Sequence, residues 1–446
     1  MRDAIKKILR FALPSSLFAL SLNWYHFLFS WLAALWYGFP SKRLFVIGVT
    51  GTKGKSSTVE MINAILEEAG FRTAIASTIR FKIDKESEPN LFKMTMPGRG
   101  YLQTFLARAR KSDCTHAVIE ITSEGARQYR HAGIALHALI FTNIAREHIE
   151  SHGSFENYQR AKLAIGKALV ASSKRPRYIV ANADDELGKK FLALPVEKTL
   201  PFRLKDAEPY RVSDMNTRMT FGGSSFEIPF PGTFTILNAL AAATLARELG
   251  IPPPTIAHAL ANMKKIAGRA EAILCGQEYL TIVDYAHTPD SLLALYEAFA
   301  PRHSAGPKRK LICVLGNTGG GRDRWKRPEM GAIADSLCET VILTNEDPYD
   351  EDPRRIVEEM ARGMSARGGS ASGGKQKLLI IMDRREAIQR ALQEATLLQA
   401  QGDKNVAVLI TGKGTDPFIM EANGTKTPWS DASVVREELK KLGFSE

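Results

Sequence analysis

Short apolar runs alternate with amphipathic segments along most of the chain. The first series opens with a strand-like run at 44–49 and continues with a helical pattern at 56–69. Because a strand, a helix and a second parallel strand form one crossover unit, this alternation predicts a mainly parallel sheet with helices on both faces. The later strand-like runs of this series are 115–121, 138–142 and 178–181.

The alternation stops at two helical patterns, 235–249 and 255–265, and then begins again. A second series of this kind predicts a second α/β domain, and we place the boundary near Gly268, which gives domains at 42–268 and 269–446. A Gly/Ser-rich tract at 367–376 is typical of a surface loop. The apolar runs of the second series are 280–283, 311–315, 340–343, 378–381 and 406–410.

Residues 1–41 precede the first strand and form a hydrophobic segment of their own. No formally charged residue lies between Phe11 and Ser41, and basic residues flank the stretch on both sides. About 20 apolar residues can cross a bilayer, but polar residues dilute this stretch, and its aromatic residues equally suit a helix in the headgroup region. A helix that packs on its own domain or on a second copy is the other interpretation. We expect membrane association through residues 11–40, and not a cleaved signal peptide, because no small-residue cleavage site precedes the strand.

Composition and charge restrict the classes of function. Of 446 residues, 44% are hydrophobic and 24% are charged, which is typical of globular proteins. The net charge of +12 suits nucleic acid, an anionic membrane surface or a phosphorylated substrate. Basic residues are spread along the chain without a nucleic-acid module, so we expect no nucleic-acid partner. The four cysteines lack paired spacing and lie mostly in apolar runs, which predicts buried free thiols and a reducing cytoplasm.

The strongest local motif is the glycine-rich stretch Gly48-Val-Thr-Gly-Thr-Lys-Gly-Lys-Ser-Ser-Thr58, which follows a strand and opens a helix. Such a loop lets backbone N–H groups approach a polyphosphate, and the helix N-terminus adds positive potential. Lys55 can reach the β- and γ-phosphates, and the Ser56 hydroxyl can ligate Mg²⁺. Val49 stands where the strict pattern has glycine, so the loop is a subtype of the phosphate-binding motif.

This loop resembles the ATP-binding loop of the Mur ligases, and later motifs follow in that family's order, most like its tripeptide-synthetase (MurE) branch. The resemblance implies a central ATPase domain with a parallel sheet and a Rossmann-like C-terminal domain. The further matching motifs are Thr95–Gly98, Glu120–Ser123, Phe141–Asn143, Glu147-His148, Tyr158–Lys162, Asn182–Asp185, Asn238, Gly268–Glu271, Asp284–Asp290, Arg322–Arg324, Lys326–Pro328 and Gly412–Gly414.

The implied chemistry is the activation of a carboxylate by ATP. A carboxylate is a poor acyl donor, so it is first phosphorylated, and an amine then displaces phosphate to form an amide. This transfer depends on positioning and charge neutralisation more than on a protein nucleophile. The resemblance implies ATP, two Mg²⁺ sites and a carbamylated Lys162. It assigns catalysis to Lys55, Glu120, His148, Lys162 and Arg269, metal binding to Ser56, Glu120 and His148, and nucleotide binding to Gly51, Thr52, Lys53, Gly54, Lys55, Ser56, Ser57, Asn143, Asn238, Arg269, Asp284 and His287.

The match is weakest where the family binds its substrates. We expect the UDP-sugar domain of the tripeptide branch to be missing, since the hydrophobic segment runs directly into the first strand. The amino-acid-selecting motif reads Glu346-Asp-Pro-Tyr349, without the arginine that pairs with a distal carboxylate in diaminopimelate-adding enzymes. Its acidic neighbours predict an amine without a distal carboxylate, such as lysine. The predicted substrate-binding residues are Thr95, Pro97, Thr122, Ser123, Arg324, Asp347, Tyr349, Lys413 and Asp416.

We therefore expect a cytoplasmic ligase, at the inner face of the membrane if the N-terminal segment binds there, that joins an amino acid to a carboxylate of a cell-wall muropeptide. One alternative is a ligase for a lipid-linked muropeptide, as in the MurT type, although the cysteine zinc ribbon of that type is absent here. Polyglutamate-adding folate ligases share the loop but match less of 284–290. A catalytically inactive, membrane-bound nucleotide-binding scaffold is the alternative from another class. The sequence does not indicate an oligomeric state.

Overall fold

The computed structural model describes residues 15–98, 100–300, 309–365 and 377–445. The predicted Gly/Ser loop at 367–376 and the basic residues at 6–10 lie outside these ranges. The helices are α1 (Ser15–Trp36), α2 (Lys55–Glu68), α3 (Tyr101–Lys111), α4 (Ser123–Arg127), α5 (Ile149–His152), α6 (Phe155–Val170), α7 (Glu186–Leu192), α8 (Thr233–Glu248), α9 (Pro253–Ala261), α10 (Pro289–Phe299), α11 (Lys326–Leu337), α12 (Pro353–Ser365), α13 (Arg384–Ala400) and α14 (Asp431–Lys441).

An eight-stranded sheet with the strand order β4-β3-β2-β5-β1-β6-β7-β8 forms the centre of the first domain. Its strands run parallel from β2 to β8, and β3 and β4 add an antiparallel edge. The parallel sheet that the apolar runs predict is therefore present. Its strands are β1 (Phe45–Thr50), β2 (Thr73–Ala76), β3 (Arg80–Ile83), β4 (Glu86–Pro89), β5 (His116–Glu120), β6 (Ala138–Phe141), β7 (Tyr178–Asn182) and β8 (Lys198–Phe202).

Helices cover both faces of this sheet because its central strands carry apolar side chains in both directions. Ile47 of β1 belongs to an apolar cluster that α2, α8 and α9 complete on one face. Its neighbour Val46 belongs to a second cluster that α3, α6 and α7 complete on the other face. Alternate side chains of one strand point to opposite faces, so a continuous apolar run is what a doubly covered strand needs. A small antiparallel sheet, β9 (Arg211–Val212), β10 (Thr217–Phe221) and β11 (Ser224–Ile228), packs beside α8 and α9.

The second domain is built on a six-stranded sheet with the order β12-β13-β17-β14-β15-β16. All its strands are parallel except the short edge strand β12, and apolar clusters lie on both faces. The strands are β12 (Glu271–Ala272), β13 (Leu280–Asp284), β14 (Lys310–Leu315), β15 (Thr340–Leu343), β16 (Lys377–Ile380) and β17 (Val406–Thr411), followed by the hairpin β18 (Phe418–Met420) and β19 (Lys426–Pro428).

The prediction of four free thiols is wrong for two cysteines. Cys313 on β14 and Cys338 at the end of α11 form a disulfide with a Cα–Cα distance of 6.2 Å. They meet because α11 leads into β15, which pairs with β14, although 25 positions separate them in sequence. Cys114 and Cys275 are buried and lie outside this disulfide. Cysteine usage therefore does not support the inference of a reducing compartment.

Helix α1 lies against the first domain through a narrow face of small residues. Ser30 and Ala34 are buried, and a Cβ atom added at Gly133 would lie only 2.6 Å from the Ala34 Cβ. A Cβ atom added at Gly100 would likewise lie only 2.4 Å from the Ala33 Cβ. No helix in the described ranges is both long and apolar enough to cross a membrane. Large apolar side chains of the helix remain exposed, namely Trp24, Tyr25, Leu28, Phe29, Trp31, Leu32, Leu35 and Trp36.

Candidate active site

A cavity of about 840 Å³ lies between the two domains, at the carboxyl ends of the central parallel strands. This edge of an open parallel sheet is where ligands bind in such folds. The phosphate-binding loop forms one wall, and loops of the second domain face it. Of the predicted site residues, those that line the cavity are Thr52, Lys53, Gly54, Lys55, Ser56, Ser57, Thr95, Glu120, Thr122, Ser123, Asn143, His148, Asn238, Arg269, Asp284, His287, Asp347, Tyr349 and Asp416.

Two asparagines shape the phosphate-binding loop from opposite sides. Asn143 follows β6, and its side-chain oxygen accepts a hydrogen bond from the Lys53 backbone N–H at 2.9 Å. Asn238 on α8 lies so close to Gly54 that an added Cβ would stand 2.1 Å from its Oδ1. Gly54 also has a φ of 79°, in the region that favours glycine. Both asparagines thus hold the loop as well as line the cavity, which is compatible with their predicted nucleotide contacts.

Lys55 is the first residue of α2, and its side chain folds back over the loop. The Nζ atom donates to the Thr52 carbonyl at 3.0 Å and lies 4.0 Å from the nearer Glu120 carboxylate oxygen. Burial lowers the pKa of Lys55, while the negative charges of Glu120 and Glu147 act in the opposite direction. A phosphate group in the cavity would add negative charge beside this ammonium group and stabilise its charged form.

Glu120, at the end of β5, provides a carboxylate next to the loop. It accepts hydrogen bonds from Ser56 Oγ at 2.8 Å, from the Thr78 N–H at 2.9 Å and from Thr78 Oγ1 at 3.0 Å. Within the described ranges, no three His, Cys, Asp or Glu side chains form a metal-binding group. Mg²⁺ typically takes only one or two protein ligands and completes its shell with phosphate oxygens and water. The adjacent oxygens of Ser56 and Glu120 fit such a nucleotide-shared ion.

His148 also lines the cavity. It precedes α5 with a φ of 58°, and its Nε2 lies 3.8 Å from a Glu147 carboxylate oxygen. Burial lowers the pKa of His148 to about 4. The ring is therefore neutral near pH 7 and keeps a nitrogen lone pair, the form in which histidine binds metals.

Lys162 lies beneath the loop and does not reach the cavity wall. It is 1% exposed on α6, and its Nζ donates to the Gly51 carbonyl at 2.6 Å. The Tyr158 ring lies 4.6 Å from the same Nζ. Burial, followed by the nearby positive charge of Lys55, holds the pKa of Lys162 well below its ordinary value. Lys162 is thus a buried amine with a lowered proton affinity, and it lies under the backbone of the phosphate-binding loop.

The connection between the domains places two predicted nucleotide-binding residues at the cavity. The Arg269 guanidinium group lies 4.5 Å from the centre of the Tyr285 ring. The Asp284 carboxylate accepts backbone hydrogen bonds from Ala270 and Ala286, each at 2.6 Å. Burial raises the pKa of Asp284. Asp284 therefore holds in place the backbone near the connection between the two domains.

Glu147 links the domains, although it was not among the predicted site residues. Its carboxylate lies 3.2 Å from the Lys53 Nζ and 3.1 Å from the Nε2 of His287, which belongs to the second domain. Lys326 adds to this contact by donating to the His287 carbonyl at 3.0 Å. The Glu147-His148 motif marked Glu147 in the sequence, but only the fold shows its partner across the cavity.

The predicted substrate residues of the first domain fall into two groups. Thr95, Thr122 and Ser123 line the cavity, and Thr95 Oγ1 lies 2.7 Å from Thr78 Oγ1. Pro97 is buried and is absent from the cavity lining. The cavity wall opposite the second domain is thus polar and hydroxyl-rich.

The predicted substrate residues of the second domain are largely engaged with other protein groups. Asp347 is buried between Lys413 at 2.8 Å and Lys93 at 2.6 Å. Lys413 is fully buried and does not line the cavity, and Arg324 lies outside it, 3.0 Å from Glu359.

The acidic residues after this motif also have partners inside the protein. Glu351 pairs with Arg327 at 3.0 Å, and Asp350 accepts a backbone hydrogen bond from Asn423. Asp352 accepts one from the Arg354 N–H at the start of α12. Their charges serve the domain's own structure, so they give no support to the expected lysine-selecting pocket.

Comparisons with known proteins agree with the motifs. Residues 49–246 match the family described as Mur ligase middle domain, and residues 268–414 match Mur ligase, glutamate ligase domain. A UDP-N-acetylmuramoyl-L-alanyl-D-glutamate--2,6-diaminopimelate ligase of Syntrophomonas wolfei is 35% identical over 398 residues, covering 87% of this chain and 76% of the relative. A UDP-N-acetylmuramyl-tripeptide synthetase of Roseiflexus sp. is also 35% identical, covering 93% and 82%. A solved structure of a UDP-N-acetylmuramoyl-L-alanyl-D-glutamate--2,6-diaminopimelate ligase shares 28% identity and a TM-score of 0.58, covering 90% and 79%.

Proposed function

The chain belongs to the Mur ligase family, whose members are ATP-dependent, ADP-forming ligases, and from that premise we propose a specific reaction. The enzyme adds an amino acid to a carboxylate of a cell-wall peptide precursor through an acyl phosphate. The observation that carries this proposal is the shared cavity. Lys55 and the Ser56–Glu120 pair lie on one side, and the hydroxyl groups of Thr95 and Thr122 line the same space.

The residues at the loop suit transfer of a phosphoryl group to a carboxylate. An oxygen of the acceptor carboxylate forms a bond to the γ-phosphorus while the bond from that phosphorus to the β,γ-bridging oxygen breaks. Lys55 neutralises negative charge on the phosphoryl oxygens, and the loop N–H groups hold the remaining phosphates. Ser56 and Glu120 would hold Mg²⁺, which supplies charge neutralisation when bound.

The second step needs an uncharged amine close to the activated carbonyl. The amine nitrogen forms a bond to the carbonyl carbon, phosphate leaves with the electrons of the C–O bond, and the nitrogen loses a proton. Burial between the two domains keeps water away from the acyl phosphate, which would otherwise hydrolyse. The contacts of Glu147 with Lys53 and His287 support a closed arrangement of the domains during this step.

We further propose that Lys162 is carbamylated and that His148 contributes to a second metal site. An uncharged amine is the form that adds to CO₂, and the lowered pKa of Lys162 favours that form. The addition converts the side chain into an anion and releases a proton. An anion beneath Gly51 would offset the positive charge that Lys53 and Lys55 concentrate at the loop.

The relatives' names indicate the substrate class that we propose for the acceptor, a UDP-linked muropeptide. A lipid-linked muropeptide is the second candidate, and a particular surface favours it. Leu91, Phe92 and Met94 are exposed on the loop that carries Thr95, and Phe27 of α1 contacts Tyr129 nearby. Apolar side chains therefore extend from the cavity mouth towards α1, where the hydrocarbon part of a lipid-linked acceptor would lie.

The exposed face of α1 also leads us to propose peripheral binding to a membrane surface. Aromatic and aliphatic side chains on such a face insert at the level of the headgroups. Replacing Trp24, Trp31 and Trp36 together by serine should reduce sedimentation with anionic vesicles, with thermal stability unchanged. Equal sedimentation of the two proteins would contradict this part of the proposal.

An acceptor panel tests the proposed function. The purified full-length chain is incubated with ATP, Mg²⁺, a mixture of amino acids and one acceptor at a time, either UDP-linked muramoyl peptides, lipid-linked muropeptides or folates. We expect release of ADP only with a muropeptide, and a product whose mass equals acceptor plus amino acid minus water. Release of ADP that is independent of every acceptor, with no new amide, would refute the proposal.

A further inference from the structure

Lys93 of the first domain reaches into the second domain at the cavity. It lies in the loop after β4, two positions before Thr95. Its Nζ lies 2.6 Å from Asp347 Oδ2 and 3.5 Å from Asp416 Oδ2, and it donates to the Phe418 carbonyl at 3.1 Å. All three acceptors belong to the second domain, so one lysine connects the loop of the predicted acceptor residues to the opposite wall.

The backbone and surroundings of Lys93 indicate that this position is held firmly. Its φ is 51°, in the left-handed region that non-glycine residues rarely adopt. A residue keeps such a conformation where several neighbouring contacts hold it in place, and this is often at a ligand site. The side chain is 14% exposed, and its ammonium group lies 5.9 Å from the centre of the Tyr349 ring.

Lys93 belongs to a cluster of four ion-paired side chains. Asp347 and Asp416 contribute two carboxylates, and Lys93 and Lys413 contribute two ammonium groups. Lys413 lies 2.8 Å from Asp347 and 3.6 Å from Asp416, so each carboxylate contacts both lysines. Lys93, Asp347, Tyr349 and Asp416 all line the cavity. Without Lys93, Asp347 and Asp416 would share a single ammonium group, that of Lys413, as their ion-pair partner among the described residues.

We propose that Lys93 determines the specificity for the added amino acid. The ammonium group of Lys93 occupies the position beside Asp347 and Asp416 that a positively charged substrate side chain would otherwise fill. The enzyme therefore selects against amino acids with a distal ammonium group and accepts those with a neutral side chain, which can lie against Tyr349. This inference rests on the proposed function and places the side chain of the added amino acid against the second domain.

Lysine and norleucine separate this role from a purely structural one, because they differ by the ammonium group at a similar side-chain length. Lysine and norleucine compete in one reaction, which is run with the full-length wild type and with Lys93→Met. The product masses give the ratio of lysine to norleucine incorporated. Lys93→Met should raise the lysine-to-norleucine ratio about tenfold or more, the scale of one charge-assisted hydrogen bond. If Lys93 were only a structural link between the domains, Lys93→Met would lower the rate of amide formation and leave the lysine-to-norleucine ratio unchanged.

Three further variants make the test more specific. Lys85→Met removes an exposed lysine in the turn between β3 and β4 and should leave the ratio as in the wild type. The double variant Lys93→Met with Asp416→Asn removes the negative charge that Lys93→Met exposes, so the gain for lysine should largely disappear. If Lys93→Met is insoluble, Lys93→Gln gives the same charge change with a side chain that can still donate to the Phe418 carbonyl.

Direct binding distinguishes failure of this inference from failure of the proposed function. Calorimetry with a non-hydrolysable ATP analogue and Mg²⁺ measures the affinities of lysine and norleucine without turnover. Loss of acceptor-dependent ADP release in every protein would refute the proposed function, while the binding ratio would still decide the role of Lys93. A lysine-to-norleucine ratio that stays within twofold of wild type in the Lys93 variants, or no lysine binding by them, would overturn the inference.

Discussion

At the scale of single residues, the proposed phosphoryl transfer depends most on Lys55. Its replacement by alanine removes the ammonium group that faces the transferring phosphate, and we expect a loss of roughly a thousandfold in the rate of amide formation. The fold should survive, since the side chain contacts mainly Thr52 and Glu120. Steady-state ADP release and a thermal melt measure the two effects, with the exposed Lys189→Ala as control. Activity within tenfold of wild type would remove the basis for the assignment.

Lys162 gives a second prediction at this scale. Lys162→Ala should be severely impaired, and formate or acetate should partly restore its activity, because a small carboxylate can replace the carbamate oxygens in the space under Gly51. The rescue is measured as the increase in rate with carboxylate concentration, and Lys189→Ala should show none. Full activity of Lys162→Ala without any added carboxylate would contradict the carbamate.

The candidate site residues that the sequence predicted are those that carry a local signal. Lys55 and Ser56 follow from the spacing of the glycine-rich loop, and Glu120 and Lys162 follow from motifs in family order. Lys93 carries no such signal, because its partner Asp347 is 254 positions away and the pairing exists only in the closed fold. For the same reason the sequence predicted free acidic groups near Tyr349, whereas the structure shows them satisfied by distant cations and backbone N–H groups.

At the scale of elements, the packing of α1 is the feature that stability measurements can test. Ala34 faces Gly133 at a distance that leaves no room for a larger side chain, while Leu35 beside it is 52% exposed. Ala34→Leu should lower the free energy of unfolding by about 1–3 kcal/mol, or release the helix from the domain. Leu35→Ala should change it by less than about 0.5 kcal/mol.

Urea unfolding followed by tryptophan fluorescence measures both α1 variants. If the two substitutions have equal effects, the helix does not pack through its small-residue face.

Most of the predicted strands are apolar runs that are buried on both faces, because the central strands of the two sheets need apolar side chains in both directions. Two strands depart from this rule: β16 was predicted although it is largely exposed, and β2 was missed although all four of its residues are buried. Other missed strands lack the signal. Every residue of β4, Glu86–Pro89, is exposed, and β9 has only two residues. Short edge strands are specified by the neighbours with which they pair, so local periodicity cannot reveal them.

At the scale of the whole molecule, the proposed function depends on two domains that share one cavity. Contacts that cross it include Glu147 with His287 and the Glu150 N–H with Asp323. The sequence predicted two α/β domains and a phosphate-binding loop, but it could not predict how the domains meet. Groups from separate parts of the chain meet at this cavity. Only the folded structure shows which of them pair with one another.

The transfer of an acceptor carboxylate oxygen to phosphate tests the proposed acyl-phosphate mechanism most directly. The acceptor carboxylate is labelled with ¹⁸O, and the phosphate released during amide formation is analysed by mass spectrometry. Activation through an acyl phosphate transfers one carboxylate oxygen to phosphate in each turnover, so labelled phosphate should appear in step with the amide product and with ADP. Unlabelled phosphate from an active enzyme and a labelled acceptor would contradict activation through an acyl phosphate.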